Sequence, residues 1–272
     1  MNIVPKTISV VGAGLSGLAS ATVLAKHGHI VSIFEKNSSI GGRVRKFEAE
    51  GFVFDMGPSW YWMPDVIDQY FNLFDTKTAD FFTLKKLDPA FRVYFGRNDY
   101  LDIPDSKDKL IELFESIEAG SGKKLLDFLH QSKLKYDIGV KDLVYRPSTS
   151  IKEFLSPQLG LKMIQLKALK SFDKYVNSFF KNPRLKSLME FPILFLGGTA
   201  KSTPSLYSLM NYACFELGTW YPQGGFSELS KAMHQLAVRQ GVEINLSNPI
   251  TDVKIANHKI QSVSTNDLHH HV

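Results

Sequence analysis

Apolar residues near the start of the chain change period twice. Ile8 to Val11 is a short, mostly β-branched run, as a buried strand needs, and it stops at Gly12. Helical spacing governs Leu18 to Ala25 and ends near Gly28. Ile30 to Phe34 is strand-like again and closes on an acid, Glu35. The pattern predicts a strand, a glycine-rich turn, a helix and a second strand, the parts of a parallel βαβ unit.

Farther on, Gly51 to Asp55 reads as a strand that stops at Met56-Gly57-Pro58. Phe91–Phe95 and Tyr100–Ile103 alternate around Gly96-Arg97-Asn98-Asp99, which predicts a hairpin. Asp105 or Ser106 caps a helix with Leu110, Ile111, Phe114 and Ile117 on one face, closed by Gly120. Ser121 opens another through Leu125, Leu126, Leu129 and Leu134. Leu161 to Phe180 reads as one amphipathic helix. Leu161, Ile164, Ala168, Phe172, Val176 and Phe179 share a face, with Lys167, Lys170 and Lys174 opposite. A helix over Ser227–Arg239 leads to strands at Val242–Asn245, Ile250–Ile255 and Lys259–Ser264, the last two joined by an Asn257-His258 turn.

The first unit carries chemistry as well as shape. Gly12, Gly14 and Gly17 form G-x-G-x-x-G between strand and helix, and Glu35 follows eighteen residues after Gly17. Gly12 permits the tight turn, Gly14 lets backbone approach a pyrophosphate, and Gly17 lets helix and strand pack closely. The pyrophosphate would sit on open N–H groups at the positive end of the helix. Glu35 would accept a hydrogen bond from a ribose hydroxyl, and its charge disfavours a 2′-phosphate. A secretory signal is a competing reading of this segment, but its three glycines and the strand and carboxylate behind them argue against it.

Gly41-Gly42-Arg43 follows Glu35 with five residues between them. Paired glycines allow backbone to approach a cofactor, and Arg43 offers a forked donor to phosphate. E-x5-G-G-R behind G-x-G-x-x-G resembles the flavoprotein superfamily of amine oxidases, protoporphyrinogen oxidase and carotenoid desaturases. Phe54-Asp55-x-Gly57-Pro58 resembles the bacterial carotenoid desaturase branch; the dense aromatic cluster Ser59-Trp60-Tyr61-Trp62 that follows is open to plain core packing as well. The order of Gly197-Gly198, then Trp220-Tyr221-Pro222-x-Gly224-Gly225-Phe226, then Leu229, is similar to bacterial phytoene desaturases.

The resemblance implies an α/β fold in which a discontinuous, Rossmann-like FAD-binding domain (1–90 and 216–272) carries an inserted α+β substrate domain (91–215). It implies FAD as cofactor, held by Gly12, Ala13, Gly14, Ser16, Gly17, Glu35, Lys36, Gly41, Gly42, Arg43, Gly57, Pro58, Ser59 and Ile250. Gly224 and Gly225 would pass close to isoalloxazine or polyene. Family members run longer, so the chain reads as truncated at its C-terminal end. The implied activity is desaturation of a long lipophilic isoprenoid such as phytoene, with hydride transfer to flavin. An amine oxidase, a flavin-dependent polyene isomerase and a non-catalytic FAD-binding remnant stay open beside it. No acid or base is assigned. Asp55 reads as a turn residue bonding its own backbone, and Lys170 as an outward surface lysine.

Composition narrows the partners. The 272 residues are 44% hydrophobic and 22% charged, ordinary globular values that exclude wholesale disorder. A net charge of +5 suits an anionic membrane surface but is too diffuse to argue for nucleic acid. The basic 161–180 helix could lie in a membrane interface, with an ordinary core-packed helix as the alternative. The single cysteine, Cys214, excludes an internal disulfide and fits a reducing cytoplasm. No metal-ligand spacing is present. His269-His270-His271 reads as a frayed end sooner than a metal tract.

Overall fold

A computed structural model describes residues 4–147, 149–150, 157–265 and 269–271. The chain forms two compact units, Met1–Lys85 with Tyr221–Val272, and Lys86–Trp220. The crossings fall at 85/86 and 220/221, against the expected 90/91 and 215/216.

The first unit is built on the βαβ element. Strand β1 (Thr7–Val11) pairs in parallel with β2 (Ile30–Phe34), and β2 pairs in parallel with the strand Glu243–Asn245. Between them runs helix α1 (Leu15–Lys26), one turn longer at its start than its apolar run suggests. Leu18 and Ala21 of α1 are fully buried with Ile33 of β2, and α1 packs beside the helix Ser227–Arg239. Strand β3 (Lys46–Ala49) pairs antiparallel with β4 (Phe52–Asp55) around Glu50-Gly51, two residues of positive φ. The apolar pattern marked only β4, because β3 reads Lys-Phe-Glu-Ala and buries almost nothing. A helix also covers Pro64–Asn72, outside the elements the apolar pattern predicts; Pro64 stands at its first turn, where a missing N–H costs nothing.

Strands Asp252–Ala256 and Lys259–Ser264 form the expected hairpin through Asn257-His258, starting two residues later than Ile250. His269–His271 is not a frayed end. Its backbone adds a third strand, pairing with Ser262–Ser264, because the edge of that hairpin offers open ladder groups. The side chains of those histidines lie outside the described residues.

The second unit is mainly helical. Phe91–Gly96 and Asp99–Ile103 form the expected hairpin, and helices Lys107–Ile117 and Ser121–Gly139 follow. Ser106, not Asp105, is the cap: its Oγ accepts from Lys109 N–H. Phe114, Phe128, Phe172, Tyr175 and Phe180 form a fully buried aromatic core. The single helix over Leu161–Phe180 does not exist. Helix Pro157–Gln165 ends, Lys167 takes a left-handed φ of 51°, and a separate short helix covers Phe172–Asn177. The break is held from outside: Ser205 Oγ donates to the Lys167 carbonyl at 2.6 Å, and Leu206 N–H to the Ala168 carbonyl at 2.8 Å. Ala168, Phe172 and Val176 enter the core, whereas Leu161 and Ile164 are 60% and 72% exposed. Helical periodicity saw a continuous stripe; tertiary hydrogen bonds cut it. Among the described residues no helix is long and apolar enough to cross a membrane.

Candidate functional site: a hollow between three glycine turns

The site lies wholly in the first unit and begins where β1 ends. Gly12 has a φ of +98°, a region L side chains rarely adopt, and its N–H donates to the Phe34 carbonyl of β2 at 2.8 Å. A Cβ on Gly17 would stand 1.9 Å from the Gly12 carbonyl oxygen, so only glycine lets α1 start this close to the turn. A Cβ on Gly14 would meet nothing nearer than Gly42 Cα at 3.9 Å. Packing therefore requires Gly17, and leaves Gly14 free for another purpose.

Two further turns close on the first. Gly41 and Gly42 both have positive φ, and Gly41 N–H donates to the Ala13 carbonyl at 2.8 Å. A Cβ on Gly42 would lie 3.2 Å from Gly14 Cα, so the two turns touch backbone to backbone. Gly57, after β4, backs onto the Arg43 carbonyl so tightly that a Cβ would stand 1.9 Å from its oxygen.

Between the turns lie two adjoining hollows of about 590 and 810 Å³, which share Val11, Gly12, Gly14, Gly42, Arg43 and Met56. One continues past Glu35, Lys36 and Asn37 to Pro249 and Ile250. The other continues past Ser16, Gly17 and Gly41 to Gly57 and Pro58. Both volumes fall in the range of small-molecule sites, about 300–1,000 Å³.

Glu35 is 5% exposed at the end of β2. Its Oε2 accepts from Ala13 N–H at 2.8 Å and its Oε1 from Asn37 N–H at 2.9 Å and from the Asn37 amide. Burial pushes its pKa up, but the hydrogen bonds from Asn37 and Ala13 outweigh that and hold it below the ordinary value. Glu35 is therefore ionised at neutral pH, and a carboxylate with about four acceptor positions keeps capacity for a hydroxyl. Lys36, Arg43 and Arg45 ring the hollows and make no ion pair among the described residues. Helix α1 starts at Gly14 with no side-chain cap and no acid in its first turn. Open helical N–H groups and three unpaired cations are what an anionic group would bind.

Of the residues expected at a cofactor site, the structure gathers Gly12, Gly14, Ser16, Gly17, Glu35, Lys36, Gly41, Gly42, Arg43, Gly57, Pro58 and Ile250. Ala13 is fully buried and acts through its backbone on Glu35 and Gly41, and Ser59 lines neither hollow. Asn37, Arg45 and Met56 were missed; Arg45 had a signal in the Arg43-x-Arg45 spacing, Met56 none. Asp55 does not bond its own turn. It accepts from Tyr221 and Phe226, and its Oδ1 lies 3.0 Å from where a Cβ on Gly225 would be, so this close approach and a φ of +100° together favour glycine there. The aromatic cluster divides: Tyr61 is core, while Trp60 and Trp62 stack on each other at 5.7 Å, half-buried.

The sequence profile of the family described as flavin containing amine oxidoreductase matches residues 15–269. This chain belongs to that family. The residues fit a flavin nucleotide: a cradle at Gly14 that a Cβ would fill, an ionised acceptor, and unpaired cations. Curated relatives in the family include the carotenoid 3,4-desaturase of Haloarcula japonica, 32% identical over 247 residues, which are 90% of this chain and 50% of that protein. The zeta-carotene-forming phytoene desaturase of Myxococcus xanthus is 31% identical, over 90% of this chain and 47% of the relative. The 4,4'-diapophytoene desaturase (4,4'-diaponeurosporene-forming) of Staphylococcus aureus is 33% identical, over 91% and 49%. The chain thus spans about half the length of these relatives. Among solved structures, an oxidoreductase from Methanosarcina mazei shares the fold with a TM-score of 0.61 at 19% identity, over 98% of this chain and 57% of that one. A putrescine oxidase does so at 0.56 and 20%, over 96% and 55%.

Proposed function

We propose that the protein is an FAD-dependent carotenoid desaturase acting on a long isoprenoid such as phytoene. The observation that carries this reading is the elongated pair of hollows, with Glu35 and Ile250 at one end and Gly57-Pro58 at the other. A dinucleotide has that division: adenosine by Glu35 and Ile250, pyrophosphate on Gly14, α1 and Arg43, and the flavin end toward Gly57 and Pro58. Removing two hydrogens from a C–C bond needs a two-electron acceptor, which flavin supplies by taking a hydride while the adjacent carbon releases a proton. The chain's own residues would bind and orient it; among the described residues no side chain is assigned to take that proton. The desaturase relatives support the isoprenoid, and the Lys86–Trp220 unit is the proposed substrate unit. Exposed Leu161, Ile164 and Leu169, interspersed with Lys162, Lys167 and Lys170, suit contact with an anionic membrane surface, where a lipophilic substrate resides.

Incubating the purified protein with FAD, phytoene in anionic vesicles and a quinone tests the function. The expected result is product whose visible absorbance moves to longer wavelength as double bonds become conjugated. Turnover of putrescine without any change in phytoene would overturn the proposal in favour of an amine oxidase. Binding of FAD with no turnover of either would favour a non-catalytic role.

A further inference from the structure

Asp55, at the end of β4, lines neither hollow, and the flavin chemistry does not call on it. Its carboxylate nevertheless joins two distant stretches of the first unit. Oδ2 accepts from the Tyr221 phenol at 2.6 Å, and Oδ1 accepts from Phe226 N–H at 2.9 Å. The three residues after Asp55 lead directly to the site. Met56 N–H donates to the Arg45 carbonyl at 3.0 Å and Met56 lines both hollows; Gly57 backs onto the Arg43 carbonyl; Pro58 lines the second hollow. On the other side, helix Ser227–Arg239 starts right after Phe226 and sets Ser230 Oγ 3.0 Å from where a Cβ on Gly41 would lie. One carboxylate thus anchors both the strand end that supports Arg43 and the helix that backs Gly41.

We propose that Asp55 is a positioning residue for the flavin-binding hollow, holding Met56–Pro58 against Arg43–Arg45 through its bonds to Tyr221 and Phe226. This rests on the reading of the hollow as a flavin site. Tyr221 is suited to the task. Its pKa is pushed up to about 12, first by the hydrogen bond to Asp55 and then by burial, so the phenol stays a donor throughout the neutral range. With both oxygens engaged by fixed donors, Asp55 orients neighbouring backbone instead of exchanging protons with a substrate. An acceptor whose loss strands two donors costs more than a lost contact, since each unpaired group keeps its desolvation penalty.

Three variants test this: Asp55→Ala, Asp55→Asn and Tyr221→Phe, each titrated with FAD and compared by amide hydrogen exchange without flavin. Asp55→Ala is expected to weaken FAD binding roughly 10- to 100-fold. Asp55→Asn, whose amide can still accept from Phe226 and face the phenol, is expected to return to within about fivefold, and Tyr221→Phe to fall between. In flavin-free protein the Met56 amide should exchange faster in Asp55→Ala, while the β1–β2 ladder amides stay as they were. In Asp55→Asn the tyrosinate absorbance should titrate at lower pH. Unchanged FAD affinity in folded Asp55→Ala, or an unchanged Met56 amide, overturns the inference. Should Asp55→Ala not fold, a Tyr221→Phe variant that binds FAD like the parent overturns it. Should the unaltered protein take no FAD, the flavin reading itself fails, and Met56 exchange alone decides whether Asp55 positions that wall.

Discussion

Gly17→Ala is expected to lower the melting temperature of the first unit by about 5–10 °C, whereas Gly14→Ala, three residues earlier, leaves it within about 2 °C of the parent. The added methyl at position 17 would stand 1.9 Å from the Gly12 carbonyl oxygen and 3.1 Å from its carbon. Those are backbone atoms in the turn that joins β1 to α1, and they cannot rotate away as a side chain would. Either α1 withdraws from the sheet or the turn opens, and overpacking of this kind costs about 1–3 kcal/mol or more. At position 14 the methyl meets only Gly42 Cα at 3.9 Å, an ordinary contact, and Gly14 has a φ of −75° that alanine adopts freely. The effect there should fall on ligand binding alone, because the methyl projects where backbone faces the hollow. Thermal melting of both variants without flavin checks the contrast. Equal melting temperatures would mean that the tight contact at Gly17 is relieved cheaply, and the separation of a packing glycine from a binding glycine would be lost.

The second large effect belongs to the Lys86–Trp220 unit. Lys135 is fully buried, with Nζ 3.1 Å from Ser208 Oγ, 3.4 Å from Ser205 Oγ and 3.5 Å from the centre of the Tyr175 ring. No carboxylate pairs with it among the described residues. Burial, and then repulsion from Lys167, push its pKa down from 10.5 to about 7. A base with a lowered folded pKa binds fewer protons folded than unfolded over that interval, so stability rises with pH between about 7 and 10.5. Below pH 7 both states are protonated and the full penalty applies; above 10.5 neither is, and it vanishes. Lys135→Met removes the amine and keeps an unbranched chain of similar bulk. Denaturant unfolding should find the variant more stable at pH 7 by a few kcal/mol, with the rise between pH 7 and 10 flattened. A variant less stable than the parent at pH 7 would show that the serine and ring contacts compensate the buried amine.

The parts of this fold that could be read from sequence are those whose physics is local. Gly12, Gly14, Gly17 and Glu35 sit within one βαβ unit, where a turn, a helix start and a strand end must fall at fixed spacing. The Gly41-Gly42 bend needs positive φ at successive residues, which few sequences offer. What escaped depends on residues far apart. The Asp55 bonds span 166 and 171 residues, and nothing near Asp55 announces Tyr221 or Phe226. The break at Lys167 is imposed by Ser205 and Leu206, 38 residues or more away, against a regular apolar stripe. Nothing in the sequence around Lys135 marks it as buried, and only the packed core around it makes it so.

The most direct test is an equilibrium titration of the purified, flavin-free chain with FAD, followed by quenching of flavin fluorescence, for the parent, Gly14→Ala and Arg43→Ala. Saturable binding at one site is expected, weakened roughly 10- to 100-fold by Arg43→Ala, which removes the proposed phosphate donor, and at least as much by Gly14→Ala. Absence of saturable binding in the parent, or equal affinity in all three proteins, would contradict it.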